Sequence, residues 1–517
     1  MPHPVTLPPS VRGLRPALLA LGLLAAAASA APAQEPRLTL EEVVRATLAA
    51  SAEVRAAEAG VRRQEGVARQ AAGAFDARLL TTVAAERVED PTAGTAGAPA
   101  AATRGMEYGV GIDRRFRSGV VVAPQLSVSR AETPGSDVLP RSLATASLDV
   151  LLPLGRGRGG GLPTARERAA SDSRRAGESE LAQRRAEAVL RSVEAYWGYL
   201  AAVKRLEVQR GAEERAARLV EETRKLVEAD QRPPADLVRV QASLASTRAA
   251  RLAGEQGLTA ARGELGLAMG TPPEALAALP APATPFPAPA DPAAGALPTP
   301  AQVAADALRA RPDLAALRAR RDAARTLLRG ARGELRPRLD LTVRLGYTGV
   351  EEGGALGGML PPLSGRSGVH AGVELSSGLA LGNREAEGLA LQSAAEEEDV
   401  ATAERELERR IALQAGTAVE TLRRSGAELE QALEAARLHS VAVENERRRF
   451  QLGSATLFDV LYAEDGLTSA TLARIEGELR HAVALARLRA AAGSLAADPG
   501  AAPSPSTAPA PPEAGDV

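Results

Sequence analysis

Apolar positions along the chain follow two periods, and the two periods alternate in long blocks. From Thr39 to Gly73 the leucines and valines fall at helical spacing, with acidic residues near the start. From Arg78 onward apolar and polar residues alternate instead, and this alternation returns at 108–112, 120–128 and 143–152 between loops rich in glycine and proline. The pattern predicts one helix followed by about four strands.

A long amphipathic stretch follows these strands. It runs from about Thr164 to Ala229, and its apolar stripe includes Leu190 and Trp197. A helix of this length extends about 100 Å. Aspartates and prolines at 230–237 then interrupt the period, and a shorter helix is predicted from Asp236 to Met269. The two helices form a hairpin, and its turn is called the first tip.

The same plan repeats in the second half of the chain. An offset of 260 positions aligns Val43 with Val303 and Gly73 with Gly333 without a gap. The elements predicted in this half are strands at 339–347 and 369–375, a long helix at 384–451 and a shorter helix at 459–492. An offset of 223 positions aligns the two shorter helices that follow the tips. The chain is therefore predicted to be an internal duplication.

The predicted lengths indicate how these elements pack. In the first half, the helices at 39–73 and 236–269 are together about as long as the single helix at 164–229. They can lie end to end along it, with the strands at one end of a rod and the tips at the other. Two strands in the second half leave unprotected sheet edges. Copies that pool their strands into a closed barrel would remove those edges, which favours a ring-shaped homo-oligomer.

Composition narrows the class of protein. The formal net charge of -1 argues against nucleic acid as the main partner. The absence of cysteine excludes disulfides, thiolate metal sites and a lipid-anchored cysteine. After the N-terminal apolar run, no stretch reaches the roughly 18 to 20 apolar residues that a membrane helix needs. An exported chain of this kind can be integral to a membrane only as a β-barrel.

The domain organisation follows from these patterns. Arg12 and Arg15 precede an apolar run and small-residue sites, which is typical of a secretory signal, and cleavage is expected near Ala33. The predicted domains are a signal peptide at 1–33, a first structural repeat at 34–270, a proline-rich linker at 271–300, a second structural repeat at 301–495 and a disordered tail at 496–517.

The second tip has the more distinctive sequence. Residues 449–461 read R-F-Q-L-G-S-A-T-L-F-D-V-L. Gly453 is expected to end the long helix with a positive φ angle. Asp459, and Asp236 in the first tip, are expected to be helix N-caps.

The complete pattern resembles the outer membrane efflux protein family, the TolC-like exit ducts of Gram-negative bacteria. The resemblance covers about Thr39 to Gly493. It rests on the duplication, on V-E-A-Y-W at 193–197, on L-L-P-L at 151–154, and on F-Q-L-G followed by D-V-L within 450–461. The first half departs from the family pattern, because four predicted strands stand where the family has two.

The resemblance implies an α+β membrane protein, a homotrimer whose outer-membrane β-barrel continues into a long α-helical barrel in the periplasm. It implies a passive channel of a tripartite efflux or type I secretion system, without a cofactor or metal. Its partners would be outer membrane lipid, a periplasmic adaptor and an inner-membrane pump. Gating and adaptor docking are expected at the tips, with the glycine-bearing second tip the more mobile. The residues expected there are Arg447, Arg448, Arg449, Phe450, Gly453, Leu457, Phe458, Asp459, Leu461, Asp230, Arg232 and Asp236.

Alternatives are open at this point. A periplasmic adaptor, or a coiled-coil structural protein of an export complex, also contains long helical hairpins. The arginines at 447–449 and the acidic run at 396–399 are either solvated helix faces or functional charges of a channel. Gly155 to Gly161 lacks the ending of a phosphate loop and is expected to be a flexible joint. Tyr196, Trp197 and Tyr199 are expected to pack between helices. The four histidines have neither metal-ligand nor catalytic spacing, so an enzyme is not expected.

Overall fold

The computed structural model describes residues 37–90, 101–134, 139–289, 297–353 and 366–495, so the predicted signal peptide and tail lie outside the described residues. The helices are α1 Leu40–Ala50, α2 Ala52–Ala72, α3 Gly161–Glu228, α4 Pro234–Met269, α5 Pro300–Ala310, α6 Pro312–Glu334, α7 Arg384–Gln451 and α8 Leu457–Ala492. The strands are β1 Arg37–Leu38, β2 Arg78–Asp90, β3 Ala101–Arg115, β4 Val121–Glu132, β5 Arg141–Pro153, β6 Ala281–Pro282, β7 Arg338–Glu352 and β8 Arg366–Gly378.

The six longer strands form one antiparallel sheet in the order β2-β3-β4-β5-β7-β8. Four strands come from the first repeat and two from the second, so the predicted strand numbers are confirmed. β5 pairs with β7 from Arg141 opposite Glu352 to Pro153 opposite Asp340, which joins the two repeats in one sheet. In the described chain β2 and β8 each pair on one side only, and they form the two edges of the sheet.

One face of this sheet is apolar. Side chains alternate between the faces along each strand, so the pairing register shows which residues share a face. One row across all six strands consists of Thr81, Val110, Leu126, Ala146, Tyr347 and Val369. Large side chains on this face are well exposed, including Val83 at 74%, Val369 at 81% and Val373 at 73%. The opposite face has polar residues such as Gln125, Ser147 and Glu374 in the middle of the strands.

The long helices and the pairs of short helices form one layer, which extends from the end of the sheet where Arg78, Pro153, Arg338 and Gly378 lie. α3 and α7 are each 68 residues long, about 100 Å. α6 and α8 lie between these two helices and contact both, whereas α2 and α4 contact α3 but not α7 to any comparable extent. No helix in the described ranges is both long enough and apolar enough to cross a membrane.

The short helices meet end to end at two equivalent places. α4 ends at Gly270, where a Cβ would lie 2.8 Å from the carbonyl oxygen of Ala50 at the end of α1. α8 ends at Gly493, where a Cβ would lie 3.2 Å from the carbonyl carbon of Ala310 at the end of α5. Both glycines have positive φ angles, so they end their helices without steric cost. The end-to-end packing predicted from the helix lengths is therefore confirmed.

A break divides the first predicted helix. The prediction of one helix from Thr39 to Gly73 is wrong, because the extended ψ angle of Ser51, 127°, separates α1 from α2. Arg311 makes the equivalent break between α5 and α6 with a ψ angle of 125°. There the cause is local, since Pro312 disfavours a helical conformation for the residue before it. The first half has no proline at this place.

Aromatic residues form the core where α1 and the segment after α4 pack on α3. Tyr196, Trp197 and Tyr199 are buried, as predicted. The Tyr196 hydroxyl donates to the carbonyl of Leu38 at 3.1 Å and accepts from the amide of Thr284 at 2.8 Å. These bonds hold part of the predicted linker against α3, where its short strand β6 pairs in parallel with β1.

The glycine-rich joint between β5 and α3 is firmly packed. The amides of Leu154 and Arg156 donate to the carbonyls of Leu339 and Pro337 at 2.7 and 3.0 Å. Gly160 has a φ angle of 87°, and a Cβ there would overlap the carbonyl oxygen of Arg117. The joint expected to be flexible is thus tied to the neighbouring strand and turn.

The acidic run at the start of α7 divides between two environments. Glu396, Glu398 and Asp399 are exposed, as expected for a solvated face. Glu397 instead accepts hydrogen bonds from Arg325 and Arg321 of α6 at 3.1 and 3.2 Å, and these bonds lower the pKa of its carboxyl. The expectation of a solvated face is wrong for this residue, which joins two helices.

Candidate functional site at the two helix tips

Both tips end their long helix in the same way. Asp230 in the first tip has a φ angle of 55°, and Gly453 in the second tip has one of 74°. In each tip the following amide, of Gln231 or Ser454, donates back to the last helical turn at 2.8 Å. The positive φ predicted for Gly453 is confirmed. Asp230 adopts this backbone despite its Cβ, which is sterically unfavourable.

The helices after the tips begin differently. Thr456 is the N-cap of α8, and its hydroxyl accepts from the amide of Asp459 at 3.3 Å. The Asp459 carboxylate accepts in return from the amide and hydroxyl of Thr456 at 2.8 and 2.7 Å, and these bonds lower its pKa. Pro233 occupies the equivalent N-cap position of α4, and its side chain has no hydroxyl that could accept a hydrogen bond from the first helical turn. The prediction that Asp459 and Asp236 are N-caps is therefore wrong, because each lies three residues later.

Apolar side chains join the two tips into one unit. This tip cluster contains the buried residues Leu219, Val220, Val240, Leu457 and Val460, with Leu237, Leu244, Phe450 and Leu461 packed around them. The guanidinium carbon of Arg232 lies 4.8 Å from the ring centroid of Phe450, a cation–π contact between the first tip and α7. All four tip helices therefore contribute to one small core.

A carboxylate next to the tip cluster joins three helices. Glu464 of α8 accepts from Nε of Arg215 on α3 at 2.8 Å and pairs with Arg447 on α7. Arg215 also donates to the hydroxyl of Thr468 at 3.3 Å. The Glu464 side chain is 15% exposed and that of Arg215 is 23% exposed. These residues line a cavity of about 140 Å³ between the hairpins.

The three predicted tip arginines have different surroundings. Arg447 pairs with Glu464 inside the chain, and Arg449 donates to Glu446 on its own helix at 2.8 Å. Arg448 is exposed and has no ion pair within the described residues. Sequence reasoning missed Glu464, because nothing local in the sequence indicates that it meets residues on two other helices.

An apolar surface patch lies beside the second tip. Leu452 is 82% exposed, Phe458 is 67% exposed and Tyr462 is 74% exposed. The rings of Phe458 and Tyr462 stack, with centroids 6.4 Å apart. We call these three residues the tip patch. Leu452 and Tyr462 were not predicted, although the four-residue spacing from Phe458 to Tyr462 is a readable signal for a shared helix face.

The remaining predicted residues divide between the interior and the surface of the tips. Leu457 is buried and Leu461 is half-buried in the tip cluster. Asp236 is half-buried and lies 3.9 Å from Arg239, whereas Asp230 is exposed. Among the described residues, no group of three or more histidine, aspartate or glutamate side chains is arranged to hold a metal ion.

The fold with its paired tips is similar to that of known channels. The chain shares 17% identity with the outer-membrane channel OprN, covering 88% of this chain and 90% of that one with a TM-score of 0.65. The outer membrane protein VceC from Vibrio cholerae shares 19% identity with the chain, covering 88% of this chain and 96% of that one with a TM-score of 0.64. The CmeC outer membrane channel of Campylobacter jejuni shares 13% identity, covering 88% of this chain and 85% of that one with a TM-score of 0.66.

A family model adds sequence support to this structural similarity. No curated protein sequence matches the chain significantly. Residues 303–494, which include the second tip and the whole of α7 and α8, match the model described as outer membrane efflux protein. The second half of the chain is therefore similar in sequence to the outer membrane efflux protein family, and the chain as a whole is similar in fold to the three channels.

Proposed function

We propose that this protein is a passive exit duct of the outer membrane, with its helices extending into the periplasm. One observation carries the proposal: a sheet with an exposed apolar face lies at one end of helices about 100 Å long, and two tips lie at the other. In this arrangement the strands cross the membrane and the helices form a tunnel. A soluble adaptor or coiled-coil spacer would not be expected to expose an apolar sheet face of this size to water.

The dimensions of the sheet suit a membrane. On β5 the apolar face extends from Ala144 to Leu152, nine residues along the strand. A tilted strand needs about 9 to 11 residues to cross the hydrocarbon core. The opposite face, with Gln125, Ser147 and Glu374, would line the water-filled interior.

An asymmetry between the long helices supports a homotrimer. Short helices flank α3 on both sides, whereas the described contacts of α7 with short helices are on one side. α7 exposes Leu391 at 74%. α4, which lies at the other margin of the layer, exposes Leu252 at 56% and Leu267 at 78%. A neighbouring copy would bring these two margins together, and three copies would surround the tunnel with twelve helices at each level.

The tips are the proposed gate. In the closed state the tips of three copies would meet on the axis and block the tunnel. Arg447 is already paired within its own chain, so Arg448 is the better candidate for a contact with a tip carboxylate of the next copy. Asp230 is exposed and is suited to receive such a contact. Opening would separate the copies while the tip cluster keeps each copy's two hairpins together.

The tip patch is the proposed docking surface for a periplasmic adaptor, which would connect the duct to an inner-membrane pump in efflux or type I secretion. Exposed aromatic residues beside a polar tip suit a helical partner. Replacing Phe458 and Tyr462 together by serine should abolish capture of a periplasmic adaptor while leaving the oligomer intact. The matched control is Phe116→Ser at the sheet end of the rod, and equal loss in both variants would contradict the assignment.

Three measurements test the main proposal. The protein should resist carbonate extraction from outer membranes and migrate on gels as a heat-modifiable trimer. In planar bilayers the purified protein should conduct in discrete steps. Arg448→Ala should raise the mean conductance because it weakens the closed contact. A monomer that carbonate releases from the membrane would refute the duct and favour an adaptor.

A further inference from the structure

The two edges of the sheet fit each other. β2 and β8 each have 13 described residues, and each has one edge without a strand partner in the described chain. Six antiparallel strands place β2 and β8 in opposite directions, so β8 of one copy can continue into β2 of the next with the same alternation. The occupant considered is a second copy of this chain, which rests on the trimer proposed above.

We propose that β8 pairs with β2 of the next copy along the described length of both strands, with Gly378 opposite Arg78 and Arg366 opposite Asp90. Three copies then close a barrel of eighteen strands, since each contributes six. The family pattern of two strands per repeat would give a barrel of twelve strands, so the proposed barrel has six strands more.

The register comes from the duplication. Within the chain, β5 pairs with β7. β7 corresponds to β2 at an offset of 260 positions, and β5 corresponds to β8 at the offset of 223 that aligns the starts and ends of α3 and α7. Carrying the pair Val150–Val343 through both offsets gives Val373 opposite Val83.

This transfer brings Arg78, the first residue of β2, opposite Gly378, the last residue of β8, which the offsets did not require. It also matches the faces of the two sheets. Val373 and Leu375, exposed at 73% and 63%, come opposite Val83 and Thr81 on the apolar face. Glu374 comes opposite Thr82 on the polar face. Apolar residues therefore continue across the seam between copies.

The joint beside the seam follows the same template. Within the chain, the amides of Leu154 and Arg156 donate to the carbonyls just before and inside β7. Their equivalents at the end of β8 are Ser377 and Leu379, whose amides would donate to the carbonyls of Leu79 and Ala77 of the next copy. Leu379 is 72% exposed in the single chain, which leaves it free to make this contact.

The size of the barrel agrees with the tunnel beneath it. Strands about 4.8 Å apart and tilted by about 40° give eighteen strands a circumference of about 110 Å. Twelve helices packed about 8 to 10 Å apart give about 95 to 120 Å. Twelve strands at the same tilt give about 75 Å, which is smaller than the circumference of the helical layer.

Cysteine cross-linking tests the register directly, because the chain has no cysteine of its own. Two pairs are introduced separately into the full-length protein, Thr82→Cys with Glu374→Cys and Val83→Cys with Val373→Cys. Neighbouring pairs in an antiparallel ladder alternate in Cβ separation, so at least one pair has geometry close to that of a disulfide. Mild oxidation in membranes should convert most of the protein to covalent trimers on non-reducing gels.

Matched variants separate the possible failures. Thr82→Cys with His370→Cys shifts the register by four residues and should give no trimer. A trimer from Leu126→Cys with Val373→Cys would place β8 against β4, and that result would replace eighteen strands by twelve. If the parent protein has the mass of a trimer but neither in-register pair cross-links, the register is wrong and the duct proposal stands. A monomeric mass for the parent overturns both.

Discussion

Replacing Glu464 by glutamine should loosen the second tip. The substitution keeps the size of the side chain but removes the charge that Arg215 and Arg447 share, and Arg215 is only 23% exposed. Breaking a fully buried pair costs about 3 to 5 kcal/mol, and breaking an exposed pair costs about 0.2 to 1 kcal/mol. The exposures at Glu464 lie between these cases, so we expect about 1.5 kcal/mol. That free energy corresponds to about a tenfold larger fraction of opened tips.

Hydrogen exchange of the intact protein in detergent measures this opening. Amides at 447–464 should lose about tenfold in protection, whereas amides of the sheet should not change. The matched control is Glu476→Gln, which breaks another α3–α8 pair, with Arg205, at exposures of 43% and 38%. A change below about threefold is expected there. Equal exchange in the two variants would show that the three-helix contact at Glu464 does not hold the tip.

Four further predictions concern the tips and α8. Thr456→Ala should cost about 1 kcal/mol in tip stability. The pKa of Asp459 is lowered in the fold, so its carboxylate stabilises the capping box above about pH 4 and this stabilisation is lost as pH falls further. Hydrogen exchange of the amides at 457–460 can follow this loss. Gly453→Ala should cost about 1 kcal/mol, whereas Asp230→Gly should stabilise the first tip by a few tenths, as denaturant midpoints would show; the same sign for both would contradict the shared left-handed turn. Burial lowers the pKa of His481, so the unfolded chain takes up its proton first and stability should fall as pH drops below about 6.5, whereas His481→Gln should remove this dependence.

Periodicity predicted the helices well where one face is buried over many turns. The bounds of α7, Arg384–Gln451, agree with the sequence pattern. The break at Ser51 was missed because no residue there forbids a helix, and packing against the end of α4 decides the conformation. The repeat contained a signal that would have found it, since Ser51 aligns with Arg311, the residue before Pro312.

The tips show the same division between local and distant information. Thr456 and Asp459 have the spacing of a capping box, so the true N-cap was readable from the sequence. The contact of Glu464 with Arg215 joins residues 249 positions apart. Such a contact depends on which faces of α3 and α8 meet, and periodicity alone does not determine that rotation.

The end-to-end contacts at Gly270 and Gly493 have a mechanical consequence. Each short-helix column is divided at mid-height, whereas α3 and α7 continue past this level without a break. We therefore expect α4 and α8, the segments on the tip side of these contacts, to tilt about the points where their ends meet α1 and α5. α8 has 36 residues and is about 54 Å long. A tilt of about 5° at the pivot moves its tip by about 5 Å, roughly half the width of a helix, while the sheet stays in place.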